Sequence, residues 1–359
     1  IEQPFSDEEI NNVVKELPTD KSPRPDGFNN EFLKACWDII GDDVRKLVHA
    51  FHEGNISLES INTSYITLIP KNNTPLTPSD FRPISLLNGV LKIITKLLAN
   101  RLQKVILQMI HINQYGFLKD RVIQDCLGWS YEYIHQCYKS REELLVLKLD
   151  FEKAYVKINW DFLLECHSNR GFGETWCGWV KKILSNGTVS IKLNNMTRPY
   201  FQSHKGVRQG DPHSPFLFNL AVDCLAKMIT NAQKSGLIVG LAADLIPNGV
   251  AVLQYADDTI ICLEHDIDKA VNLKMLLHIF ELMSGLKVNF HKSEILTVGG
   301  DDNVVNMYAD LFHCEVGSFP TKHLGMPVSY TKHRNSDWEF IIAKYLNFFE
   351  AWIGNAAST

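Results

Sequence analysis

The alternation of apolar and polar positions divides the chain into clear elements. SDEEINNVVKEL (6–17) has Ile10, Val13, Val14 and Leu17 at helical spacing behind a Ser6/Glu9 capping box. NNEFLKACWDIIGDDVRKLVHAFHEG (29–54) reads as one helix ending at Gly54, and 89–110 and 121–139 as two more. INTSYITLIPK (61–71) reads as a strand. So does ELLVLKLDF (143–151), with Leu145, Leu147 and Leu149 on one face and Val146, Lys148 and Asp150 on the other. WDFLLECHSNRG (160–171) and ETWCGWVKKILSNG (174–187) read as helices, each stopped by glycine, followed by a hairpin from TVSIKLN (188–194). Residues 214–233 and 271–285 read as helices. GVAVLQYADDTIICLEHD (249–266) reads as strand, turn, strand, and LKVNFHKSEIL (286–296) as a strand with a polar turn. Strands mixed with helices in this way predict an α+β or mixed α/β chain.

Composition narrows the class. The 359 residues suffice for a large core or two to three subdomains, and 45% hydrophobic with 21% charged residues is ordinary for a globular protein. A net charge of −5 argues mildly against nucleic-acid binding, although only the local field over a groove matters. The eight cysteines include no C-x-x-C pair, which removes zinc-ligand spacing and suits a reducing, intracellular compartment. No apolar run is long enough for a membrane span, and no signal peptide opens the chain. A first residue Ile1, and an end just after the apolar KYLNFFEAWIG, predict a fragment cut from something longer.

The candidate chemistry lies in the acids. Asp257 and Asp258 stand side by side at the tip of a strand–turn–strand unit, and Asp150 ends an apolar strand where a charge needs a reason. An Asp-Asp turn is commonly plain turn chemistry, and a strand-ending Asp can cap the next helix. The other reading is a magnesium site. Magnesium takes oxygen ligands, and a two-metal site clamps both oxygens of an in-line phosphoryl displacement.

Further segments decide between these readings. In order along the chain, SPRPDGFNNEFLKACW, ITLIPK, DFRPISL, NQYGFLKDRVIQD, LKLDFEKAYVKINWDFL, GVRQGDPHSPFLFNLAVDCL, YADDTII, GLKVNFHKSEIL and HLGMPVS are found. Together they resemble the reverse transcriptase domain of LINE-type (non-LTR) retrotransposons, of the kind abundant in plants. The resemblance implies an α+β right-hand polymerase with fingers and an antiparallel palm sheet backed by helices, its thumb truncated. On this pattern 1–60 is an N-terminal extension, 61–145 fingers, 146–175 the first catalytic palm strand, 176–205 a fingers/palm insertion, 206–330 palm and 331–359 the start of the thumb. It implies RNA-directed DNA synthesis with two magnesium ions, an RNA template, a DNA primer and deoxynucleoside triphosphates. The endonuclease and the rest of the thumb are expected elsewhere in the parent protein. Nuclear action follows from the family, although no basic localisation run is present.

The resemblance also assigns roles. Asp150 and Asp257 match the metal ligands, Asp258 the third acid, and Phe151 a carbonyl donor to one metal. Tyr155 matches the bulky residue under the nucleotide sugar, with a core aromatic as the alternative. Lys71 and Arg82 match the triphosphate-gripping cations, a point charge and a bidentate fork, with solvated loop cations as the alternative. Gln209 and Gly210 match the nucleotide site, and Gly206 a place where backbone comes close to substrate. Tyr255, with Leu324 and Gly325 of the HLGMP turn, matches primer-contacting elements. Lys292 is read either as the acid that protonates the leaving pyrophosphate or as a surface lysine. Three departures stand out: Val156 where relatives carry a second Asp, Arg24 in place of a Gly, and His213 in place of an apolar residue. They leave open a rival reading, a non-catalytic descendant that binds nucleic acid as a scaffold. Group II intron and telomerase polymerases are the other relatives in view, and FRPISLLN, HLGMP and SPRPDGF fit the retrotransposon better.

Overall fold

A computed structural model describes residues 1–19, 25–193, 196–240, 249, 251–299 and 302–356. The first three residues of the SPRPDGF loop, Arg24 among them, and the Val250 position before the acids lie outside the described residues. In chain order the elements begin with α1 (Asp7–Glu16), α2 (Asn30–Ala35), α3 (Trp37–His52), β1 (Thr63–Pro70), β2 (Phe81–Leu87), α4 (Gly89–Gln103), α5 (Ile123–Ser140) and β3 (Leu144–Leu149). Then come α6 (Ala154–Lys157), α7 (Trp160–Ser168), α8 (Glu174–Ser185), β4 (Thr188–Leu193), β5 (Met196–Thr197), β6 (Phe201–Gln202), α9 (Ser214–Lys234), β7 (Val252–Tyr255) and β8 (Asp258–Glu264). The rest are α10 (Ile267–Ser284), β9 (Glu294–Val298), α11 (Asp302–Phe312), β10 (Glu315–Val316), β11 (Thr321–His323), β12 (Met326–Val328) and α12 (Glu339–Ala356). The content is α+β, as the pattern predicts.

Three local expectations need correction. The 29–54 stretch is two helices, because the chain turns at Cys36. The 89–110 helix ends at Gln103 and continues only as a short 3₁₀ turn, Ile106–Gln108. At α1, Ser6 caps the helix by accepting from the Glu9 N–H, but the Glu9 carboxylate does not close the box. It pairs with the buried Arg101 guanidinium at 2.8 Å, and Arg101 also donates to the carbonyls of Ile1, Gln3 and Pro4. A buried guanidinium with five donors outcompetes a helix-end N–H for that carboxylate.

The chain forms two compact units. The first comprises 1–110, 153–224 and 282–286, and the second 111–152, 225–281 and 287–359. The first unit carries the sheet β2-β1-β4-β5, with β6 also paired to β4 and β1–β4 the parallel pair. The second carries β10-β9-β3-β8-β7, in which β3 lies antiparallel between β8 and β9. β3 is central because Leu144 to Leu147 and Leu149 are all buried, which requires cover on both faces. Leu144 and Val146 join Ile260, Cys262, Leu296 and Val298 in a core with Cys126, Tyr133, Ile134 and Cys137 of α5. By strand alternation, Lys148 and Asp150 continue that same side of β3 beyond the apolar part.

Candidate active site

The antiparallel register of β3 and β8 pairs Leu149 with Thr259. One step further along each strand stand Asp150 and Asp258, so two acids distant in sequence become cross-strand neighbours. Asp257 is the preceding residue, in the β7–β8 turn. The turn is unusual for holding Ala256 at φ +56°, a left-handed value an L-residue rarely takes. It is pinned from the side by the segment 113–116. The Ala256 N–H donates to Gln114 Oε1 at 2.9 Å, as does the Gly116 N–H, and the Tyr115 N–H donates to the Gln254 carbonyl at 2.8 Å. A Cβ added at Gly116 would stand 2.4 Å from the Ala256 nitrogen. Only glycine allows this approach, and it gives NQYGF a physical role at the acids.

Asp150 is oriented by two residues that sequence reasoning did not single out. Asn289 Nδ2 donates to Asp150 Oδ2 at 3.1 Å, and the Asp150 N–H donates to the buried Ser293 hydroxyl at 3.1 Å. The Asn289 N–H returns to the Asp150 carbonyl at 2.7 Å. Both lie in the quoted GLKVNFHKSEIL, and an Asn and a Ser four residues apart in a polar turn were the available signal. Phe151 is buried and packs edge-on against Phe280 at 6.4 Å.

Asp150 and Asp258 line a cavity of about 530 Å³, together with Lys148, Lys292, Lys322, Tyr255, Leu324 and Gly325. The expected acid lysine and primer-contacting residues therefore share one cavity with the acids. Leu324 and Gly325 turn the β11–β12 hairpin, both at positive φ (+49° and +82°), the pattern of a tight two-residue hairpin turn. Burial pushes Asp258 up to about 6, helped by Asp257 and Asp150 and opposed by Lys148. Burial also raises Asp257, with Asp150 adding to it. Repulsion among clustered acids predicts a rise, but burial is the larger cause.

A stability signature follows from Asp258. Its folded pKa lies near 6, so between about pH 4 and 6 the metal-free folded protein binds a proton that the unfolded chain does not. Its contribution should therefore fall as pH rises through that window, by no more than ~1 kcal/mol, because the carboxyl, although crowded by protein on one side, still reaches solvent that screens its charge. Thermal melts of wild type and Asp258→Asn at the two ends of the window check this. The variant should gain on wild type as pH rises, and a constant gap between them would refute it.

The remaining predicted residues lie in the first unit. Lys71 and Arg82 are exposed on the β1–β2 hairpin, where Ile69 pairs with Arg82. Lys71 Nζ donates to the Ser79 carbonyl at 2.9 Å. Tyr155 stacks on Phe218 at 4.6 Å and 7° between ring planes, and its carbonyl accepts from the Val207 N–H at 2.7 Å. Gly206 is forced by the Val156 carbonyl, 2.5 Å from where its Cβ would lie, and Gly210, at φ +103°, by the Ser85 carbonyl at 2.8 Å. Gln209, Arg208 and Val156 line a small cavity of about 80 Å³, and Gln209 Oε1 and Arg208 Nη1 are buried without a hydrogen-bond partner among the described residues. Burial holds Arg208 below its usual range, with Asp211 acting the other way, and burial raises Asp211. Neither residue was singled out from the sequence. Val156 is 44% exposed, so no apolar core explains it. His213 is fully buried edge-on to Trp176, held near 3 by burial and then by His167, and acts as a neutral ring in an apolar place.

A metal site is tested by its donors. Three carboxylates supply the all-oxygen set magnesium takes, and the raised pKa values of Asp257 and Asp258 show charge that lacks full compensation. Among the described residues, no three His, Cys, Asp or Glu side chains form a cage for a metal by themselves. Magnesium needs none, since it completes its shell with water and substrate oxygens. The residues fit such an ion.

The fold defines the class. The chain superposes on telomerase from Candida tropicalis truncated from its C-terminal domain with a TM-score of 0.50 at 14% identity, covering 68% of this chain and 51% of that one. On the Candida tropicalis telomerase in complex with a fragment of telomeric RNA the score is 0.51 at 13% identity, covering 89% and 51%. These show a polymerase fold of the reverse transcriptase and telomerase type. Residues 69–328 match the family reverse transcriptase (RNA-dependent DNA polymerase), and the chain belongs to it.

Relatives come from non-LTR retrotransposons of animals. The transposon TX1 149 kDa protein of Xenopus laevis is 28% identical, over 83% of this chain and 22% of that protein. The R2 Pol polyprotein of Popillia japonica is 28% identical over 66% and 32%, and R2DM of Drosophila melanogaster 26% over 89% and 28%. The chain thus spans between about a fifth and a third of the length of these relatives. Among the described residues, no helix is long and apolar enough to cross a membrane.

Proposed function

We infer that this chain extends a DNA primer on an RNA template, as the polymerase segment of a LINE-type retrotransposon protein. One observation carries the reading: β3 and β8 bring Asp150 beside Asp258, with Asp257 in the adjoining turn, and Asp150 and Asp258 line a cavity of about 530 Å³. Asp150, Asp257 and Asp258, with the Phe151 carbonyl, would hold two magnesium ions. Bound there, the ions supply charge neutralisation at the reacting phosphate and ease loss of the primer hydroxyl's proton.

The protein's own groups do the rest. Asn289 and Ser293 keep Asp150 aimed, and Gln114 holds the turn of Asp257. Lys71 and Arg82 grip the β- and γ-phosphates, and Gln209 and Gly210 line the nucleotide. Tyr255, Leu324 and Gly325 position the primer 3′-end, which attacks the α-phosphorus in line. Lys292, in the cavity of the acids, gives a proton to the departing pyrophosphate. Fingers at 61–145, palm at 146–175 and 206–330 with a fingers/palm insertion at 176–205 between them, and a thumb beginning at 331 go with these assignments, and an origin in a plant-type element rests on the motif resemblance alone. The parent protein's endonuclease, and nuclear action on a target-primed end, belong to the same reading.

The test is extension of a primer annealed to RNA, with magnesium and deoxynucleotides. Growth of the primer supports the reading, and silence from folded protein that binds the duplex counts against it. Tyr155 supplies a finer check. Its ring stacks on Phe218, which limits its freedom to yield to a 2′-hydroxyl placed beside it. Tyr155→Val should raise the use of ribonucleotides relative to deoxynucleotides by roughly tenfold to a hundredfold. An unchanged ratio would remove Tyr155 from the sugar.

A further inference from the structure

The geometry points to Lys148 and Glu294 as a pair that sets how tightly the acids bind a divalent cation, with Glu294 holding the Lys148 ammonium off them. The inference rests on the reading of Asp150, Asp257 and Asp258 as metal ligands. Lys148 precedes Asp150 by two residues on β3, so both side chains leave the sheet on one face, and both line the cavity of Asp258. Lys148 lies directly across from Glu294 on β9, and its ammonium donates to Glu294 Oε2 at 3.2 Å. Glu294 is itself fixed, since the Thr321 hydroxyl donates to the same oxygen at 3.1 Å.

The other groups around Lys148 do not replace this tether. His323 is buried and neutral near the Lys148 charge. Lys322 sits over the Phe340 ring at 4.6 Å, and Lys292 comes from the 290–292 turn. Lys148 is the cation whose charge reaches Asp258. Released from Glu294, it would compete with a divalent ion for the same oxygens. Held by Glu294, it leaves them accessible. Loss of the lysine and loss of its tether should therefore act in opposite directions.

Titration of manganous chloride into the metal-free protein, followed by calorimetry without nucleic acid or nucleotide, tests this. Lys148→Met should tighten manganese binding, and Glu294→Gln should weaken it, each by about three- to tenfold. In a Lys148→Met background, Glu294→Gln should change little, and Lys148→Arg should bind like wild type. Misfolding weakens binding only, so a tightened Lys148→Met separates charge from structure. Unchanged or weaker binding by Lys148→Met would overturn the inference. So would a Glu294→Gln loss of equal size in both backgrounds, which marks Glu294 as merely one more nearby acid. Wild type that binds no manganese would overturn the metal reading itself, a failure distinct from these two.

Discussion

Primer extension by Asp257→Asn is expected to fall by at least about a thousandfold, with the fold and duplex binding kept. Asparagine preserves volume and polarity and removes one charge. A bound metal stabilises the transition state by several kcal/mol, and each 1.36 kcal/mol is a factor of ten in rate. The same substitution should make the metal-free protein slightly more stable at neutral pH. Burial and Asp150 both raise the Asp257 pKa, so its charge is a cost to the folded state in the absence of metal. Activity lost while thermal stability rises is a combination that a structural role does not produce. Extension assays and melts on one preparation check it, and an Asp257→Asn protein that extends primers normally would end the assignment. Parallel work on Val156→Asp is informative. Lys205 and Arg208 line the cavity beside Val156, so a carboxylate there would meet cations already in place.

Much of the site was legible in the sequence because it rests on short-range pattern. The alternation in LLVLKLD fixes which residues of β3 share a face, and so puts Lys148 and Asp150 on the same side by spacing alone. YADD between two apolar runs gives the β7–β8 turn in the same way. What was not legible depends on contacts between segments distant in the chain. Asn289 and Ser293 become orienting groups only because the 289–293 turn folds onto the end of β3. Glu9 looks like half of a capping box until Arg101 draws its carboxylate away. The break at Cys36 and the early end of α4 interrupt a helical period that runs on through both, so the period alone does not place them. Burial, rather than repulsion, leads the rise of the acids, and burial cannot be read from two adjacent aspartates.

At Gly116 one added methyl group is expected to damage the turn that carries Asp257 without touching the acids themselves. Gly116 makes no use of glycine's freedom at positive φ. It is constrained by space alone, with its missing Cβ 2.4 Å from the Ala256 nitrogen. That neighbour is backbone, already held at φ +56° and bonded to Gln114, so it has no easy direction in which to yield. Gly116→Ala should push the β7–β8 turn outward, break the Ala256 N–H bond to Gln114 and carry Asp257 with it. The overpacking is expected to cost about 1–3 kcal/mol of stability. A displacement of ~1 Å at a reacting group costs on the order of a hundredfold in rate, so extension should fall at least that far. Gly128, in the exposed middle of α5 with open space where its Cβ would go, is the control. Gly128→Ala should stabilise the helix by roughly 0.5–1 kcal/mol and leave extension unchanged. Denaturant melts and single-nucleotide extension on the two variants decide the matter. If Gly116→Ala extends primers as well as Gly128→Ala does, the segment 113–116 does not hold the turn of Asp257.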